Sequence, residues 1–226
     1  MLKAVIYDLD GTLIDSRADL ARSVDAMLSV LALPRLPDER VVSFVGGGAE
    51  LLVRRALAAA RGAGERNSEL PPELVAQGLR AWHAHYTLHL LDQTRPYPGI
   101  AELLHVPPRA RAVLTNKPGG YARRILDGLG LSAAFAQVLG GDEVARKPDP
   151  RGLLQICAGL SVSAREALLV GDSPIDIETG RAAGIPVCAV SWGFSPRAEL
   201  EQKHPAHLLD DARALASLLV QLGGAD

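Results

Sequence analysis

Two aspartates follow a short apolar run near the start of the chain, and this feature constrains the fold more than any other. Residues 4–7 (Ala-Val-Ile-Tyr) lack an alternation of polar and apolar residues, which is typical of a strand buried on both faces. Asp8-Leu9-Asp10-Gly11-Thr12 comes next, and Gly11 allows the chain to turn sharply. Side chains two positions apart on extended backbone point to the same side, so Asp8 and Asp10 are expected to lie together. Because adjacent carboxylates repel each other, the pair predicts a bound divalent cation.

The rest of the sequence predicts an α/β fold with a doubly wound parallel sheet. Further apolar runs that resemble buried strands occupy residues 112–114, 137–139, 167–170 and 186–190. Helical patterns lie between several of them, for example at residues 121–129 and 151–160. Strands that alternate with helices favour a parallel sheet with helices on both faces. Ligands bind such sheets beyond the carboxyl ends of the strands, where Thr115, Lys147 and Asp172 are expected.

Residues 16–95 interrupt this alternation and are expected to form an all-helical insertion over the carboxyl end of the first strand. Ser16 followed by Asp19 resembles a capping box at the start of its first helix. The insertion is predicted to continue with helices at residues 49–61 and 71–91, a polar loop at 61–70 and a hinge at 95–99. We therefore predict a catalytic sheet domain over residues 1–15 and 96–226, and a helical domain over residues 16–95.

The composition argues against several classes of protein. The formal charge is -2, so no basic surface that would attract nucleic acid is expected. No apolar run reaches the roughly 18 residues needed to cross a membrane, and Met1-Leu2-Lys3 lacks the features of a secretion signal. Cys157 and Cys188 lie far apart without metal-ligand spacing, which favours reduced and buried thiols. These features favour a protein of the cytoplasm. We also expect its partner to be a small metabolite, and the chain to be a monomer or homodimer.

The acidic, hydroxyl and lysine side chains at the predicted strand ends suit phosphoryl transfer. Asp8 is predicted to attack phosphorus and form an aspartyl phosphate. Asp10 would protonate the leaving oxygen and later take a proton from water. Thr115 and Lys147 would hold the phosphoryl oxygens as charge shifts in the transition state.

Each of these residues also has an ordinary structural interpretation. Lys147 could be a solvated surface charge, and Asp172-Ser173 could simply cap the next helix. An EF-hand loop fits poorly, because Ile6 stands where its first acid is needed and a strand precedes the acids. The catalytic interpretation is favoured because four such elements occur in one chain. Further oxygen ligands for Mg²⁺ are predicted at Asp172 and Asp176.

The same residues resemble the motifs of the haloacid dehalogenase-like hydrolase superfamily. The motifs read Asp8-Leu9-Asp10-Gly11-Thr12-Leu13, Thr115-Asn116-Lys117-Pro118, Lys147-Pro148-Asp149-Pro150 and Gly171-Asp172-Ser173, with Asp176 following. The resemblance implies a Rossmann-like core, dependence on Mg²⁺ and a phospho-aspartate intermediate. It also implies that the helical insertion is a cap of the family's first class, which opens to admit substrate and closes to exclude water. The dehalogenases that name the superfamily lack the second aspartate, so Asp10 favours phosphoryl transfer.

The resemblance also implies a role for each motif residue. Asp8 would be the nucleophile, and Asp10 would be the general acid/base that also lends its backbone carbonyl to the metal. Thr115 and Lys147 would hold the phosphoryl group. The residues implied for Mg²⁺ are Asp8, Asp10 and Asp172, with Asp176 as a supporting acid.

Further segments are similar to the phosphoglycolate phosphatase group within this superfamily. They are residues 15–21, 44–50, 115–117 and 140–142. The implied substrate is 2-phosphoglycolate, with Asn116 among the residues that bind it. The backbone N–H groups of Gly47 and Gly48 could face the substrate carboxylate, although a flexible loop that starts a helix explains these glycines equally well.

Three alternatives stay open at this stage. Cytosolic phosphatases of sugar phosphates, including one that acts on N-acetylmuramic acid 6-phosphate, share these features. A phosphomutase related to β-phosphoglucomutase has the same core, although its cap pattern is not visible here. A non-enzymatic phospho-acceptor, like a response-regulator receiver, also gathers acids, a Thr or Ser and a Lys at strand ends, but such chains are much shorter and carry no cap.

Overall fold

The computed structural model describes residues 1–62, 70–108 and 110–224, so most of the loop predicted at 61–70 lies outside the described residues. Its strands are β1 (Ala4–Tyr7), β2 (Ile14–Asp15), β3 (Arg95–Pro96), β4 (Ala110–Leu114), β5 (Gln137–Leu139), β6 (Ala167–Gly171), β7 (Val187–Val190) and β8 (His207–Leu209). Its α-helices are α1 (Arg17–Val30), α2 (Asp38–Val42), α3 (Ala49–Ala60), α4 (Pro72–Tyr86), α5 (Ile100–Leu103), α6 (Gly119–Gly128), α7 (Arg151–Gly159), α8 (Pro174–Ala183), α9 (Arg197–Gln202) and α10 (Ala212–Gly223).

In this part of the chain, the main sheet has six strands in the order β5-β4-β1-β6-β7-β8. Every neighbouring pair in it is parallel. The chain starts in the middle at β1, extends the sheet to one side through β4 and β5, and then to the other through β6, β7 and β8. The predicted α/β fold with a doubly wound parallel sheet is therefore confirmed.

The central strands are buried on both faces, as their apolar runs predict. All residues of β1 and β6 are buried. On one face, Ile6, Ala112 and Leu169 form a continuous core with Leu153 of α7 and Ile177 of α8. Removing such apolar surface from water, at about 25 cal/mol per Å², is the main free energy that holds the helices on the sheet.

The register of β1 with its two neighbours brings three motifs to the same edge of the sheet. Tyr7, the last residue of β1, stands opposite Val113 of β4 and Val170 of β6. The chain leaves the sheet just beyond this level. The polar residues that come next along the three strands are Asp8, Thr115 and Asp172.

Some element bounds differ from those predicted. A small antiparallel sheet of β2 and β3 occupies part of the predicted hinge, and β8 extends the main sheet. β2, β3 and β8 have two or three residues each, and their sequences did not indicate strands. The helix predicted at residues 71–91 ends at Tyr86, because the N–H groups of Leu88 and His89 bond to carbonyls three residues back and tighten the last turn.

The chain divides into two compact units, Met1–Asp15 with Arg95–Asp226, and Ser16–Thr94. Arg95 belongs to the sheet unit, one residue earlier than predicted, because it pairs with Asp15 in the small sheet. Within Ser16–Thr94, α1 and α3 both pack against α4. The function of this helical unit as a cap stays a prediction.

The capping box predicted at the start of α1 is wrong. Ser16 precedes the helix, but its side chain makes no capping hydrogen bond. The buried Asp19 carboxylate instead accepts hydrogen bonds from the N–H groups of Gln93 and Thr94, at 2.9 and 2.8 Å. It also accepts one from the Thr94 hydroxyl at 2.8 Å. Asp19 therefore ties the end of the helical unit back to its first helix.

The two cysteines are free thiols inside the fold. Cys157 and Cys188 are free and buried, and burial raises the pKa of the Cys188 thiol to about 12. Among the described residues, no helix is both long and apolar enough to cross a membrane.

Candidate active site

The turn after β1 places Asp8 and Asp10 at the edge of the sheet. Gly11 has a φ of +85°, which favours glycine, and its N–H bonds to the Ile14 carbonyl at 2.9 Å. The carbonyl of Leu9 accepts hydrogen bonds from three N–H groups of the same turn. The turn is therefore fixed by its own backbone, and its two acidic side chains leave it from defined positions.

Three buried carboxylates, those of Asp8, Asp172 and Asp176, meet beyond the carboxyl ends of β1 and β6. Each offers an oxygen that lies within 4.8 Å of the oxygens of the other two. The ammonium of Lys147 lies 2.9 Å from Asp8 Oδ1 and 2.6 Å from Asp176 Oδ1. Because the Lys147 side chain is only 2% exposed, its interpretation as a solvated surface charge is wrong.

The electrostatics of this cluster are those of crowded acids. Burial, opposed by the attraction of Lys147 and reinforced by the charge of Asp176, raises the pKa of Asp8 to about 6. Burial and the charges of Asp8 and Asp176 raise the pKa of Asp172 to about 8. Burial alone would lower the pKa of Lys147, but the attraction of Asp176 and Asp8 outweighs it and raises that pKa. Lys147 is therefore charged at neutral pH.

This donor set fits a divalent cation. The three carboxylates and the single ammonium of this cluster leave a formal charge of -2 when all are ionised. Oxygen ligands are those that hard cations such as Mg²⁺ prefer. Burial is the largest cause of the raised pKa values of Asp8 and Asp172, and the repulsion between the acids adds to it. A cation placed among them would remove that repulsion.

Asp10 lies apart from this cluster, in a buried ion pair that the sequence analysis did not predict. The Lys117 ammonium lies 2.9 Å from Asp10 Oδ1 and 2.8 Å from Oδ2. The side chains of Lys117 and Asp10 are 5% and 12% exposed. The Thr115 hydroxyl oxygen accepts a hydrogen bond of 3.3 Å from the Lys117 N–H. Lys117 lies in the motif Thr115-Asn116-Lys117-Pro118, but nothing in the sequence indicates that its side chain turns toward Asp10.

Asn116 and Asp176 hold Lys147 in position. The Asn116 side chain accepts a hydrogen bond from the Lys147 N–H at 2.8 Å and donates one to the Lys147 carbonyl at 3.1 Å. Asp176 Oδ2 accepts hydrogen bonds from the N–H and hydroxyl of Ser173, at 3.1 and 2.5 Å, while its Oδ1 faces Lys147. Asp176 is thus shared between the cluster and the start of α8. A contact between Asn116 and substrate stays a prediction.

Gly47 and Gly48 belong to the helical unit, directly before α3. Gly48 has a φ of +89°, which favours glycine at the start of the helix. A Cβ atom on Gly47 would lie 2.3 Å from Leu51 Cδ2, so a larger residue there would require the Leu51 side chain to move. These local reasons explain both glycines, and their contact with a substrate carboxylate stays a prediction.

Comparison with known proteins finds relatives over most of the chain. A family model described as haloacid dehalogenase-like hydrolase matches residues 5–190. A phosphoglycolate phosphatase of Rhodospirillum rubrum is 44% identical over 200 residues, which cover 86% of this chain and 82% of that protein. A phosphoglycolate phosphatase of Haemophilus influenzae is 34% identical over 221 residues, which cover 96% of this chain and 98% of that protein.

Solved structures share the fold. The crystal structure of a predicted phosphoglycolate phosphatase from Haemophilus somnus has a TM-score of 0.88 at 29% identity, covering 96% of this chain and 97% of that one. A superfamily hydrolase from Geobacter sulfurreducens has a TM-score of 0.72 at 25% identity, with 96% of each chain covered. The sheet and the helices around it are therefore those of known hydrolases.

Proposed function

This chain belongs to the haloacid dehalogenase-like hydrolase family, and we propose that it is a phosphatase of small phosphomonoesters that uses Asp8 as its nucleophile. The proposed substrate is 2-phosphoglycolate, which would be hydrolysed to glycolate and phosphate. Two relatives named phosphoglycolate phosphatase, 34% and 44% identical to this chain over most of its length, support the substrate class.

The buried cluster around Lys147 is the observation that carries the proposal. Within the described residues, Asp8 Oδ1 faces both the Lys147 ammonium at 2.9 Å and the Leu9 N–H at 2.7 Å. These two donors orient the carboxylate and favour its ionised form, which a nucleophile requires. Asp8 Oδ2 is therefore the oxygen that we propose to attack phosphorus.

The proposed reaction has two steps. Asp8 Oδ2 forms a bond to phosphorus while the bond to the leaving oxygen breaks, and Asp10 gives its proton to that oxygen. Asp10 then takes a proton from water, the resulting hydroxide oxygen bonds to phosphorus, and the bond between phosphorus and Asp8 breaks. The Thr115 hydroxyl and the Lys147 ammonium would hold the phosphoryl oxygens in both transition states.

We propose Mg²⁺ as the cation of this site, because all its donors are oxygens. When bound, it would supply positive charge against the carboxylates and the phosphoryl oxygens. The residues proposed to hold it are Asp8, Asp172 and the backbone carbonyl of Asp10, with Asp176 as a supporting acid. Asp10 in this role is a proposal from the family resemblance, since its side chain is paired with Lys117.

A phosphate-release assay with Mg²⁺ tests the proposal. It compares 2-phosphoglycolate with sugar phosphates, including N-acetylmuramic acid 6-phosphate. Asp8→Asn removes the nucleophile at nearly constant shape and is expected to lower kcat by at least about 10³-fold. Asp127→Asn on α6 is the matched control, because Asp127 is exposed on the surface of the same unit and should leave kcat unchanged.

The outcomes separate the alternatives. Hydrolysis that Asp8→Asn leaves undiminished would refute the mechanism. Faster turnover of a sugar phosphate would keep the phosphatase activity and reject 2-phosphoglycolate as the substrate. Isomerisation of a sugar phosphate without phosphate release would indicate a phosphomutase, and a long-lived phosphoprotein without turnover would indicate a phospho-acceptor.

We further propose that the enzyme acts in the cytoplasm as a monomer or homodimer. Its two cysteines are free, which suits a reducing compartment. Cell fractionation would test the location, and light scattering during gel filtration would test the oligomeric state.

A further inference from the structure

The loop after β7, residues 191–194 (Ser-Trp-Gly-Phe), contacts the acidic cluster although it contributes no carboxylate to it. The N–H of Phe194 donates a hydrogen bond of 2.8 Å to Asp172 Oδ2. The hydroxyl of Thr12 donates another of 2.8 Å to Asp172 Oδ1. Each oxygen of Asp172 thus accepts from one neutral donor and keeps a second lone pair for a cation.

Gly193 packs directly against the same carboxylate. A Cβ atom on Gly193 would lie 2.3 Å from Asp172 Cβ and 2.4 Å from its Oδ2. Gly11 forms a second wall, where a Cβ atom would lie 2.2 Å from Oδ2. Asp172 is 2% exposed. Its side chain therefore lies in a narrow slot between Gly11 and Gly193, and a side chain at either position would overlap it.

Trp192 joins the two sides of this slot. Its indole N–H donates a hydrogen bond of 3.1 Å to the Thr12 carbonyl. Thr12 lies in the turn after β1, Trp192 and Phe194 lie in the loop after β7, and Asp172 follows β6. The contacts therefore connect the ends of three strands around one carboxylate and fix its orientation.

We propose that the 191–194 loop is a positioning element of the cation site and sets its affinity for Mg²⁺. The inference rests on the proposed function, because it takes Asp172 as a ligand of the cation. A carboxylate that is already fixed loses little freedom when the cation binds. Groups that orient metal ligands commonly change metal affinity about 10- to 100-fold when they are altered.

Gly193→Ala is the most direct test. Gly193 does not have a positive φ, so alanine fits its backbone and the new methyl group acts on Asp172. We expect the Kd of Mg²⁺, measured by titration calorimetry on metal-free protein, to rise about 10- to 100-fold. Phosphate release should fall at low Mg²⁺ and recover as Mg²⁺ is raised. Gly120→Ala on α6 is the matched control, because an added Cβ there meets nothing within 4 Å.

Hydrogen-bond variants test the same loop without adding bulk. Trp192→Phe keeps an aromatic ring and removes the indole N–H. Thr12→Val removes the hydroxyl at constant shape, whereas Thr12→Ser keeps it. We expect a Kd raised about tenfold in Trp192→Phe and Thr12→Val, and a Kd close to that of the wild type in Thr12→Ser. If Gly193→Ala does not fold, as judged by circular dichroism, these three variants test the inference in its place.

The readout separates a role in cation binding from a role in stability alone. Loop variants with a lowered melting temperature and a wild-type Kd for Mg²⁺ would overturn the inference. The proposed function would survive that result, provided that the wild type binds Mg²⁺ and releases phosphate. A wild-type protein that binds no Mg²⁺ would overturn both.

Discussion

Replacing Lys147 by methionine should destabilise the metal-free protein strongly, and more at pH 8 than at pH 5. Methionine is similar in length and uncharged, so the change removes the ammonium that bridges Asp8 and Asp176. Removing one partner of a buried ion pair typically costs about 3–5 kcal/mol, because the other charge stays buried. In a chain of 226 residues, 1 kcal/mol corresponds to about 2–4 °C in melting temperature. The expected fall at pH 8 is therefore about 6–20 °C.

The direction of the pH dependence follows from the loss of Lys147, whose attraction lowers the pKa of Asp8. Burial, partly offset by Lys147, raises the pKa of Asp8 to about 6, and burial with the charge of Asp8 raises that of Asp172 to about 8. Without Lys147 the folded variant must take up protons to relieve the repulsion. Each pH unit above the unfolded pKa makes this uptake about 1.4 kcal/mol more costly. The loss of stability in the variant should therefore be largest at pH 8 and shrink toward pH 5.

Thermal unfolding followed by circular dichroism, with a chelator present, measures the effect. Lys203→Met is the matched control, because Lys203 pairs with Glu178 at 2.7 Å and both side chains are 40% exposed. Such a surface pair contributes about 0–1 kcal/mol, so the control should stay within a few degrees of the wild type. A Lys147 variant whose loss equals that of the control, or is the same at both pH values, would refute the assignment of Lys147 as the buried counter-ion.

Three further outcomes follow from the same contacts. The metal-free wild type should lose stability as the pH rises from about 5 to 8, because Asp8 and Asp172 bind protons more tightly in the folded than in the unfolded chain. Mg²⁺ should therefore raise the melting temperature more at pH 8 than at pH 5. Lys117→Met should lower kcat/KM for alkyl phosphomonoesters at least about tenfold and that for p-nitrophenyl phosphate much less, because Lys117 orients Asp10 and only alkyl leaving groups need the proton of Asp10 in the first step, which kcat/KM reports; equal losses in kcat/KM would contradict this. Asp19→Ala removes the carboxylate that accepts hydrogen bonds from the N–H groups of Gln93 and Thr94 and should lower the unfolding free energy by about 2–4 kcal/mol in denaturant titrations, and an unchanged midpoint would count against that role.

The arrangement of the sheet unit could be predicted from the sequence, because its strands are short apolar runs followed by polar residues. The buried runs predict parallel strands, and the strand ends then predict where Asp8, Thr115 and Asp172 lie. The two-residue strands β2 and β3 could not be found in this way, since their pairing depends on contacts between Asp15 and Arg95 that are far apart in the sequence. A local sequence pattern predicts secondary structure only where apolar residues recur with the period of a helix or a strand.

Side-chain partners were less predictable than positions. Asp19 stands where a capping box would place it, yet tertiary contacts with Thr94 use its carboxylate instead. The Asn116 side chain bonds to the backbone of Lys147, a partner that its motif did not indicate, and its contact with substrate stays a prediction. Lys117 turns toward Asp10. In each case several partners were within reach of one polar group, and only the folded backbone decides which of them is close enough to bond.

The acids of this cluster have unequal environments, which explains why Lys147 alone does not neutralise all of them. Lys147 contacts Asp8 and Asp176 directly, whereas the hydrogen bonds of Asp172 come from the neutral groups of Thr12 and Phe194. Accordingly, burial raises the pKa of Asp172 to about 8 but that of Asp8 only to about 6. Of Asp8 and Asp172, Asp172 is therefore the carboxylate whose charge a cation would stabilise more, and it is also the one that the 191–194 loop contacts. A neutral loop can fix such a ligand without competing with the cation for charge, which a lysine in its place would do.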